Sequence, residues 1–302
     1  EGVTNLKPGD RCILSFVSNC GHCRTCRTGN PQLCEINLKT GVRQYDGSVR
    51  LHEGETNIFQ HSKLGVFGDF VVCPQQACHP IPDQLPMDVA ALIGCCVTTG
   101  VGAIINHPAA RPGITVAVFG CGGVGLNVIQ GARLLNARKI IAVDVADHKL
   151  EFSYKFGATD VVNSRNMDPV EIIKELTDDG VDLAFDSFGS EGTIVNAFEA
   201  VRPGGAAVLI GLGAVGEKAP IDMVHMVRAQ KTVMGSYYGS ASPHETFNKL
   251  IDFYLRGKLD VENLITRRYS LMDINEGFQA LARNEDGRGV IDYQIETKKE
   301  RS

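Results

Sequence analysis

The sequence predicts an α/β fold built on a doubly wound parallel sheet. From residue 114 onward, continuous apolar runs alternate with stretches of helical periodicity, beginning with ITVAVFG and GLNVIQGARLLN. Strands that are apolar along their whole length are typical of parallel sheets covered by helices on both faces. The residues before 97 differ, because they contain short strand-like runs, many turn signals and little helical periodicity. We therefore expect a mostly β region to precede the α/β region.

The elements of the α/β region follow one another in a regular order. After the first strand and helix, strands are predicted at 139–144, 160–163, 181–189 and 206–213, with helices at 148–157, 169–178 and 193–205. After residue 239 the pattern mixes two amphipathic helical segments with one last strand. In the β region, strands are predicted at 11–17 and 68–73, and the Asp46–Gly47 pair predicts a hairpin turn.

Composition excludes several classes of protein. The chain has 302 residues, a net charge of −5, 43% hydrophobic and 22% charged residues, which are ordinary values for a globular protein. Without a basic excess, nucleic acid and anionic membranes are poor partners. We expect no apolar run long enough to span a bilayer and no signal peptide. The ten cysteines, several of them in apolar runs, favour a reducing, cytoplasmic setting over a secreted disulfide scaffold.

The loop GCGGVG follows the first strand of the α/β region and opens a helix. Its glycines match the G-x-G-x-x-G pattern, in which they allow a tight turn, close approach of a diphosphate and close packing of helix on strand. The helix N-terminus offers unpaired amide groups to the phosphates. The residues predicted to bind a dinucleotide here are Gly120, Gly122, Gly123, Val124 and Gly125. A glycine-rich turn used only for packing is the alternative.

Asp144 ends the next strand and supports the dinucleotide interpretation. A carboxylate at this place accepts hydrogen bonds from the adenosine ribose hydroxyls and repels a 2′-phosphate, which favours NAD over NADP. Lys149 lies in the first turn of the following helix. It is a candidate ribose contact, with a plain solvated lysine as the alternative.

Four cysteines fall in CGHCRTCRTGNPQLC, with the spacing C-x2-C-x2-C-x7-C. Four thiolates so close together predict a tetrahedral zinc that is closed to water and therefore structural. The proposed ligands are Cys20, Cys23, Cys26 and Cys34. An iron–sulfur cluster is the alternative, although the last gap and the absence of a following proline differ from the bacterial ferredoxin pattern. His22 lies inside this segment and is interpreted as a bystander.

Several motifs together resemble the zinc-containing medium-chain alcohol dehydrogenases. GVTNLKPGDRC, the cysteine segment, LIGCCVTTGVGA, VAVFGCGGVGLNVIQGARLLNARKIIAVD and DGVDLAFDSFGS occur in the order and spacing of that family. The resemblance implies a Rossmann domain inserted in a GroES-like β catalytic domain. The implied domains are 1–96, with the zinc lobe at 19–35, then 97–239 as the Rossmann domain, and 240–302 as the return to the catalytic domain.

The resemblance also assigns residues and an activity. Cys95 matches a ligand of the catalytic zinc, Thr99 a position near the nicotinamide, and Arg288 a basic residue that reaches the diphosphate. An inert thiol and a solvated arginine are the alternatives for Cys95 and Arg288. The implied reaction is hydride transfer between an alcohol and NAD, giving an aldehyde or ketone. A homodimer or homotetramer acting on a small alcohol or carbonyl substrate is expected.

The sequence departs from the family at the other catalytic zinc ligands. In the family a first cysteine, the proton-relay hydroxyl and a zinc-binding histidine lie upstream of GVTNLKPGDR, and none of the eight histidines here occupies such a motif. We therefore expect an N-terminally truncated chain. The competing function is an NAD-binding protein that lacks a working catalytic zinc.

Overall fold

The computed structural model describes residues 2–283 and 287–295 and divides into two compact units. The first unit comprises Glu1–Cys95 together with Ala241–Ser302, and the second comprises Cys96–Ser240. The second unit contains a parallel sheet flanked by helices, which confirms the predicted fold class.

The sheet of the second unit has six strands, all of them parallel to their neighbours. They are β5 (Thr115–Phe119), β6 (Lys139–Asp144), β7 (Asp160–Asn163), β8 (Val181–Asp186), β9 (Val201–Leu209) and β10 (Thr232–Gly235). Their spatial order is β10-β9-β8-β5-β6-β7. The order reverses between β5 and β8, and such a switch point is where open α/β sheets bind ligands.

The helices of the second unit follow from local signals that the sequence contains. They are α4 (Thr98–Ile105), α5 (Gly123–Leu134), α6 (Asp147–Phe156), α7 (Pro169–Thr177), α8 (Glu191–Ala200) and α9 (Met223–Arg228). Asp168 caps α7 by accepting from the amides of Val170 and Glu171. The predicted helix over 193–205 is wrong at its end, because β9 begins at Val201 and buries that side chain in the sheet.

The first unit is built from short strands. They are β1 (Cys12–Leu14), β2 (Leu51–Glu53), β3 (Thr56–Ile58), β4 (Cys78–Pro80), β11 (Ile265–Tyr269) and β12 (Arg288–Ile291). β1 pairs with β4 and β2 with β3, both antiparallel, whereas β11 and β12 are parallel. The helices of this unit are α1 (Arg24–Arg27), α2 (Glu35–Thr40), α3 (Met87–Leu92), α10 (Pro243–Leu255) and α11 (Ile274–Ala282).

Two local predictions in the first unit are wrong. The hairpin joins β2 to β3 through Gly54, not through Asp46–Gly47, where the chain makes an isolated turn closed by the Gln44 amide and the Ser48 carbonyl at 3.0 Å. No strand forms over 68–73, a fully described segment in which Phe70 is 94% exposed. A strand-like run without a partner strand has no ladder to join, so it stays irregular.

The stretch Met87–Ile105 contains α3, a π-helical turn at Ile93–Val97 and α4. Its 19 residues are apolar and long enough to cross a membrane by length and composition, which corrects the expectation that no run reaches this length. However, 72% of its most apolar window is buried within the protein. The core helix of a soluble protein passes the same test, so this stretch is weak evidence for a membrane span.

Candidate functional site

The four thiols of the zinc lobe, defined above as residues 19–35, converge on one point. All four sulfur atoms lie within 4.8 Å of one another. The measured pairs are Cys23–Cys26 at 3.4 Å, Cys23–Cys34 at 3.9 Å and Cys20–Cys26 at 4.0 Å. Four sulfurs placed tetrahedrally at about 2.3 Å from one zinc ion lie about 3.8 Å apart. The cluster therefore fits a single ion, a more compact arrangement than thiolates around a cluster of iron and sulfide.

Backbone amides of the lobe point at the sulfurs. The Cys34 sulfur accepts from the amides of Cys20 at 3.3 Å and Asn37 at 3.4 Å, and the Cys20 sulfur accepts from the amides of Cys23 at 3.3 Å and His22 at 3.5 Å. Such contacts orient ligating groups and stabilise negative charge on them. The His22 ring instead contacts the Cys20 carbonyl oxygen through Nδ1 at 2.9 Å, and His22 is exposed.

The electrostatics of the thiols are uneven. The pKa of Cys23 is lowered to about 5, mainly by the hydrogen bond with the Thr25 hydroxyl and next by the hydrogen bond with the Cys26 backbone amide. Burial and then the contact with Cys23 raise the pKa of Cys26 to about 12. Zinc binds thiolates, so binding releases the protons that the thiols still hold.

A buried lysine behind the lobe was missed in the sequence. Lys63 is 1% exposed, and its Nζ donates to Asn37 Oδ1 at 2.9 Å and to the Gly41 carbonyl at 2.6 Å. Burial lowers the pKa of Lys63, while the charge of Cys34 acts in the opposite direction. The lysine thus places a cation near the thiolates and ties α2 to residue 63. A lysine in a polar loop gives no sequence signal of this burial.

The glycine loop joins β5 to α5, and its backbone conformation requires glycine at two positions. Gly120 has φ of +92°, in the left-handed region that favours glycine. A Cβ on Gly125 would overlap the Gly120 carbonyl oxygen. At Gly122 a Cβ would meet nothing within 4 Å, and this residue is exposed. The loop is thus packed on its inner side and open over Gly122, where the amides of Gly123 and Val124 begin α5.

Asp144 links the end of β6 to the glycine loop. Its Oδ2 accepts from the Cys121 amide at 2.8 Å, and its Oδ1 accepts from the amides of Val145 at 2.8 Å and Ala146 at 3.1 Å. The half-buried carboxylate is therefore fixed beside the loop. Lys149 lies near the same loop, because its charge lowers the pKa of the Cys121 thiol. Burial and then the charge of Asp144 raise that pKa.

Two residues at the end of β8 complete this edge of the sheet. Ser187 Oγ lies 2.7 Å from the Gly120 carbonyl and 3.0 Å from the Phe119 carbonyl. Asp186 is 0% exposed; its Oδ1 accepts from the Phe188 and Gly189 amides, and its Oδ2 has no hydrogen-bond partner among the described residues. The motif DSFG carried the signal for both, because polar residues that end a parallel strand lie at the ligand edge.

Cys95 and Cys96 occupy the π-helical turn, a feature that is frequent at functional sites. Cys96 is buried in the second unit and accepts a 3.9 Å contact from the Asn127 amide group, whereas Cys95 belongs to the first unit and is exposed. The atoms around the Cys95 thiol nevertheless raise its pKa by desolvation, and the charge of Arg288 acts in the opposite direction. Thr99 is half-buried in α4.

The structure brings together the four ligands of the lobe but does not bring together three metal ligands around Cys95 within the described residues. Arg288 is the first residue of β12 and lies near Cys95. The Nε atom of Arg288 is buried and has no hydrogen-bond partner in the described part of the chain. Over residues 2–283 and 287–295, the lobe is the one group of three or more His, Cys, Asp or Glu side chains arranged to hold a metal. Three ligands are therefore not assembled around Cys95 within these residues, and its role stays a prediction.

Comparison with known families matches both regions of the chain. Residues 1–83 match the family model described as the alcohol dehydrogenase GroES-like domain. Residues 123–256 match the family model described as zinc-binding dehydrogenase.

Individual relatives extend over nearly all of the chain. It is 36% identical over 297 residues to the NDMA-dependent alcohol dehydrogenase of Amycolatopsis methanolica, covering 96% of this chain and 79% of that protein. It is also 36% identical over 301 residues to the S-(hydroxymethyl)glutathione dehydrogenase of Saccharomyces cerevisiae, covering 96% and 78%. The solved structure of benzyl alcohol dehydrogenase from Acinetobacter calcoaceticus superposes with a TM-score of 0.87 at 28% identity, covering 97% and 80%. The chain therefore belongs to the zinc-containing medium-chain alcohol dehydrogenase family.

Proposed function

We propose that this protein is an NAD-linked alcohol dehydrogenase that carries a structural zinc in the lobe. The observation that carries the proposal is the glycine loop, which is closed by steric contact at Gly125, open over Gly122 and bordered by the fixed carboxylate of Asp144. Family membership supports an oxidoreductase that acts on alcohols.

The loop and its neighbours divide the work of holding the cofactor. The amides that begin α5 bind the diphosphate, because the helix N-terminus carries partial positive charge and no side chain intervenes at Gly122. Asp144 receives the adenosine ribose hydroxyls and disfavours a 2′-phosphate. When bound, NAD accepts the hydride of the alcohol carbon at its nicotinamide ring.

A titration with NADH and with NADPH tests this assignment most directly. We expect saturable binding of NADH, seen as enhanced cofactor fluorescence, and weaker binding of NADPH. Turnover is then measured with NAD on a panel of alcohols that includes benzyl alcohol and S-(hydroxymethyl)glutathione, the kinds of compound named for relatives and structural neighbours. A folded protein that binds neither nucleotide contradicts the proposal.

The competing function is an NAD-binding protein without a catalytic zinc. It is favoured by one observation, that three ligands are not gathered around Cys95 within the described residues. A catalytic zinc of this family type needs three protein ligands and an open position.

Metal analysis separates the two functions. About two zinc ions per chain, together with turnover, support the dehydrogenase with both zinc sites. About one zinc ion per chain, with NADH binding but no turnover on any alcohol, supports the binding protein. Mutation of Cys95 to Ser lowers the zinc content only in the first case, whereas the lobe retains its ion in both.

A cytoplasmic homodimer or homotetramer remains part of the proposal. It follows from the resemblance to the family and from the cysteine-rich composition. Sedimentation velocity of the purified chain tests the assembly, and a monomer at micromolar concentration contradicts it.

A further inference from the structure

Two thiols outside the zinc lobe lie in direct contact. The sulfur atoms of Cys73 and Cys78 are 3.6 Å apart, and both residues are partly exposed. Between them the chain makes a 3-10 turn at Gln75–Ala77, closed by a 2.9 Å hydrogen bond from the Ala77 amide to the Pro74 carbonyl. This turn folds the backbone so that two cysteines five residues apart meet.

The contact polarises the pair. The contact with the Cys78 side chain is the main cause that lowers the pKa of Cys73. The same contact, followed by burial, raises the pKa of Cys78 far above its usual range. The titratable group that also faces the pair is Cys12 of β1, whose charge raises the pKa of Cys73. The Cys73 thiol therefore loses its proton more readily than the Cys78 thiol.

We propose that Cys73 and Cys78 form a redox-active thiol pair that a low-molecular-weight disulfide, such as glutathione disulfide, oxidises to an intramolecular disulfide. An accessible thiolate beside a second, resolving thiol is the arrangement found in redox-sensing cysteines. The pair is separate from the zinc lobe and from the glycine loop, so the proposal does not depend on the proposed function.

The chemistry proceeds by two exchange steps. The Cys73 thiolate attacks one sulfur of the small disulfide, which forms a mixed disulfide on Cys73, breaks the original S–S bond and releases one thiolate. Cys78 then loses its proton to solvent, and its sulfur attacks the Cys73 sulfur and expels the second small thiolate. The two cysteines lose two electrons in total, and the small disulfide is reduced to two thiols.

The geometry requires little movement. The two sulfurs must approach from 3.6 Å to about 2.05 Å to form the bond. Cys78 begins β4 and pairs with Leu14 of β1, so the new bond would fasten residues 73–78 to the start of this strand pair. Cys12 lies opposite Pro80 in the same pair, with its sulfur 4.0 Å from the Asp10 carbonyl. It provides the matched control.

A proteolytic fragment makes the test specific. Cleavage before aspartate releases residues 69–82, which contain Cys73 and Cys78 and no other cysteine. The full-length, zinc-loaded protein is incubated with mixtures of glutathione and glutathione disulfide, remaining thiols are alkylated, and the fragment is weighed by mass spectrometry. We expect a fragment that carries no alkyl group, has lost the mass of two hydrogen atoms and recovers both alkylation sites after dithiothreitol treatment.

Single variants test the order of the steps. Cys78→Ser is expected to retain glutathione on Cys73, whereas Cys73→Ser slows adduct formation at Cys78 by at least about tenfold. Cys12→Ser should still form the disulfide between Cys73 and Cys78, because the Cys12 sulfur takes part in neither exchange step. Zinc content, followed in parallel, reports any oxidation of the lobe.

Three outcomes overturn the proposal. They are a wild-type fragment that stays doubly alkylated at every glutathione disulfide ratio, stable adducts on both cysteines instead of a disulfide, and equal adduct rates at the two positions in the single variants. The first two are read on the wild-type protein, so they do not depend on the folding of any variant.

Discussion

The zinc lobe and the glycine loop hold their ligands by opposite means. In the lobe, side chains converge, and four sulfurs lie within 4.8 Å of one another. In the loop, no side chain fills the space over Gly122, next to the backbone amides that begin α5. A substitution in the lobe therefore removes a ligand, whereas a substitution in the loop adds atoms to a space that must stay empty. The proposed zinc site of the first unit is made of side-chain sulfurs, whereas the proposed cofactor site of the second unit is made of backbone amides at the end of a strand.

The largest effect is expected from Cys26→Ser in the lobe. A serine hydroxyl is a poor zinc ligand, so the variant should lose about one zinc ion per chain. The free energy of unfolding should fall by more than about 4 kcal/mol, because loss of a structural metal is among the most destabilising single changes. Atomic absorption and urea unfolding measure the two quantities. Cys12→Ser is the control and should retain the zinc. Loss of activity with zinc and stability intact contradicts a structural role for the lobe.

The two glycines of the loop should separate folding from binding. Gly125→Ala places a methyl group on the Gly120 carbonyl oxygen and should cost about 3 kcal/mol of unfolding free energy. Gly122→Ala meets open space, so its stability should change by less than about 1 kcal/mol. The same methyl group should weaken NADH binding by at least about tenfold, because it occupies the approach of the diphosphate. Thermal unfolding and NADH titration of both variants check this, and equal stability of the two variants contradicts the packing argument.

A histidine pair in the first unit gives a pH-dependent contribution to stability. His79 is 7% exposed, its Nε2 lies 3.1 Å from Asn248 Oδ1, and its Nδ1 lies 3.0 Å from Nδ1 of His244. Burial and then the charge of His244 lower the pKa of His79 to about 4. A proton added to His79 would place a charge in a buried site that faces the His244 ring.

The sign of this effect follows from proton uptake. Below pH 6.5 the unfolded chain protonates this histidine while the folded chain does not, down to about pH 4. The stabilisation is complete above pH 6.5 and is lost as the pH falls through this window, by about 3 kcal/mol. Urea unfolding of the wild type and of His79→Gln from pH 7.5 to 4.5 should therefore show a shallower pH dependence in the variant. Exposed His52→Gln is the control, and parallel curves for His79→Gln and the wild type contradict the prediction.

The smallest effect is expected at Asp144. Asp144→Asn keeps one side-chain oxygen that can accept hydrogen bonds from the neighbouring backbone amides. The substitution removes the negative charge that repels a 2′-phosphate. The ratio of NADPH to NADH affinity should rise about tenfold, equivalent to about 1.4 kcal/mol. Asp147→Asn, on the first turn of α6, is the matched control. Unchanged selectivity in fluorescence titrations of Asp144→Asn contradicts the ribose assignment.

Most of the second unit was predictable, since five of its six strands and four of its six helices lie where the sequence predicted an element of that type. β6 and β7 have the bounds that their apolar runs predicted, at Lys139–Asp144 and Asp160–Asn163. Residues 140–143 of β6 are buried, so their continuous apolar run marks a strand that is covered on both faces. The first unit was predicted less well, because its strands have three to five residues and depend on partners distant in the chain. The mistaken strand at 68–73 shows this difference.

The residue order alone indicates the glycine loop, the acid after the second strand and the spacing of the four lobe cysteines. Each of these depends on neighbours within a few tens of residues, and their chemistry is visible in the residue types. The folded chain is needed to see that Lys63 is buried behind the lobe, that Cys73 contacts Cys78, and that His79 faces His244 from a segment distant in sequence. Burial and contact between segments depend on how the chain returns on itself, and a residue type at one position does not record what lies opposite it.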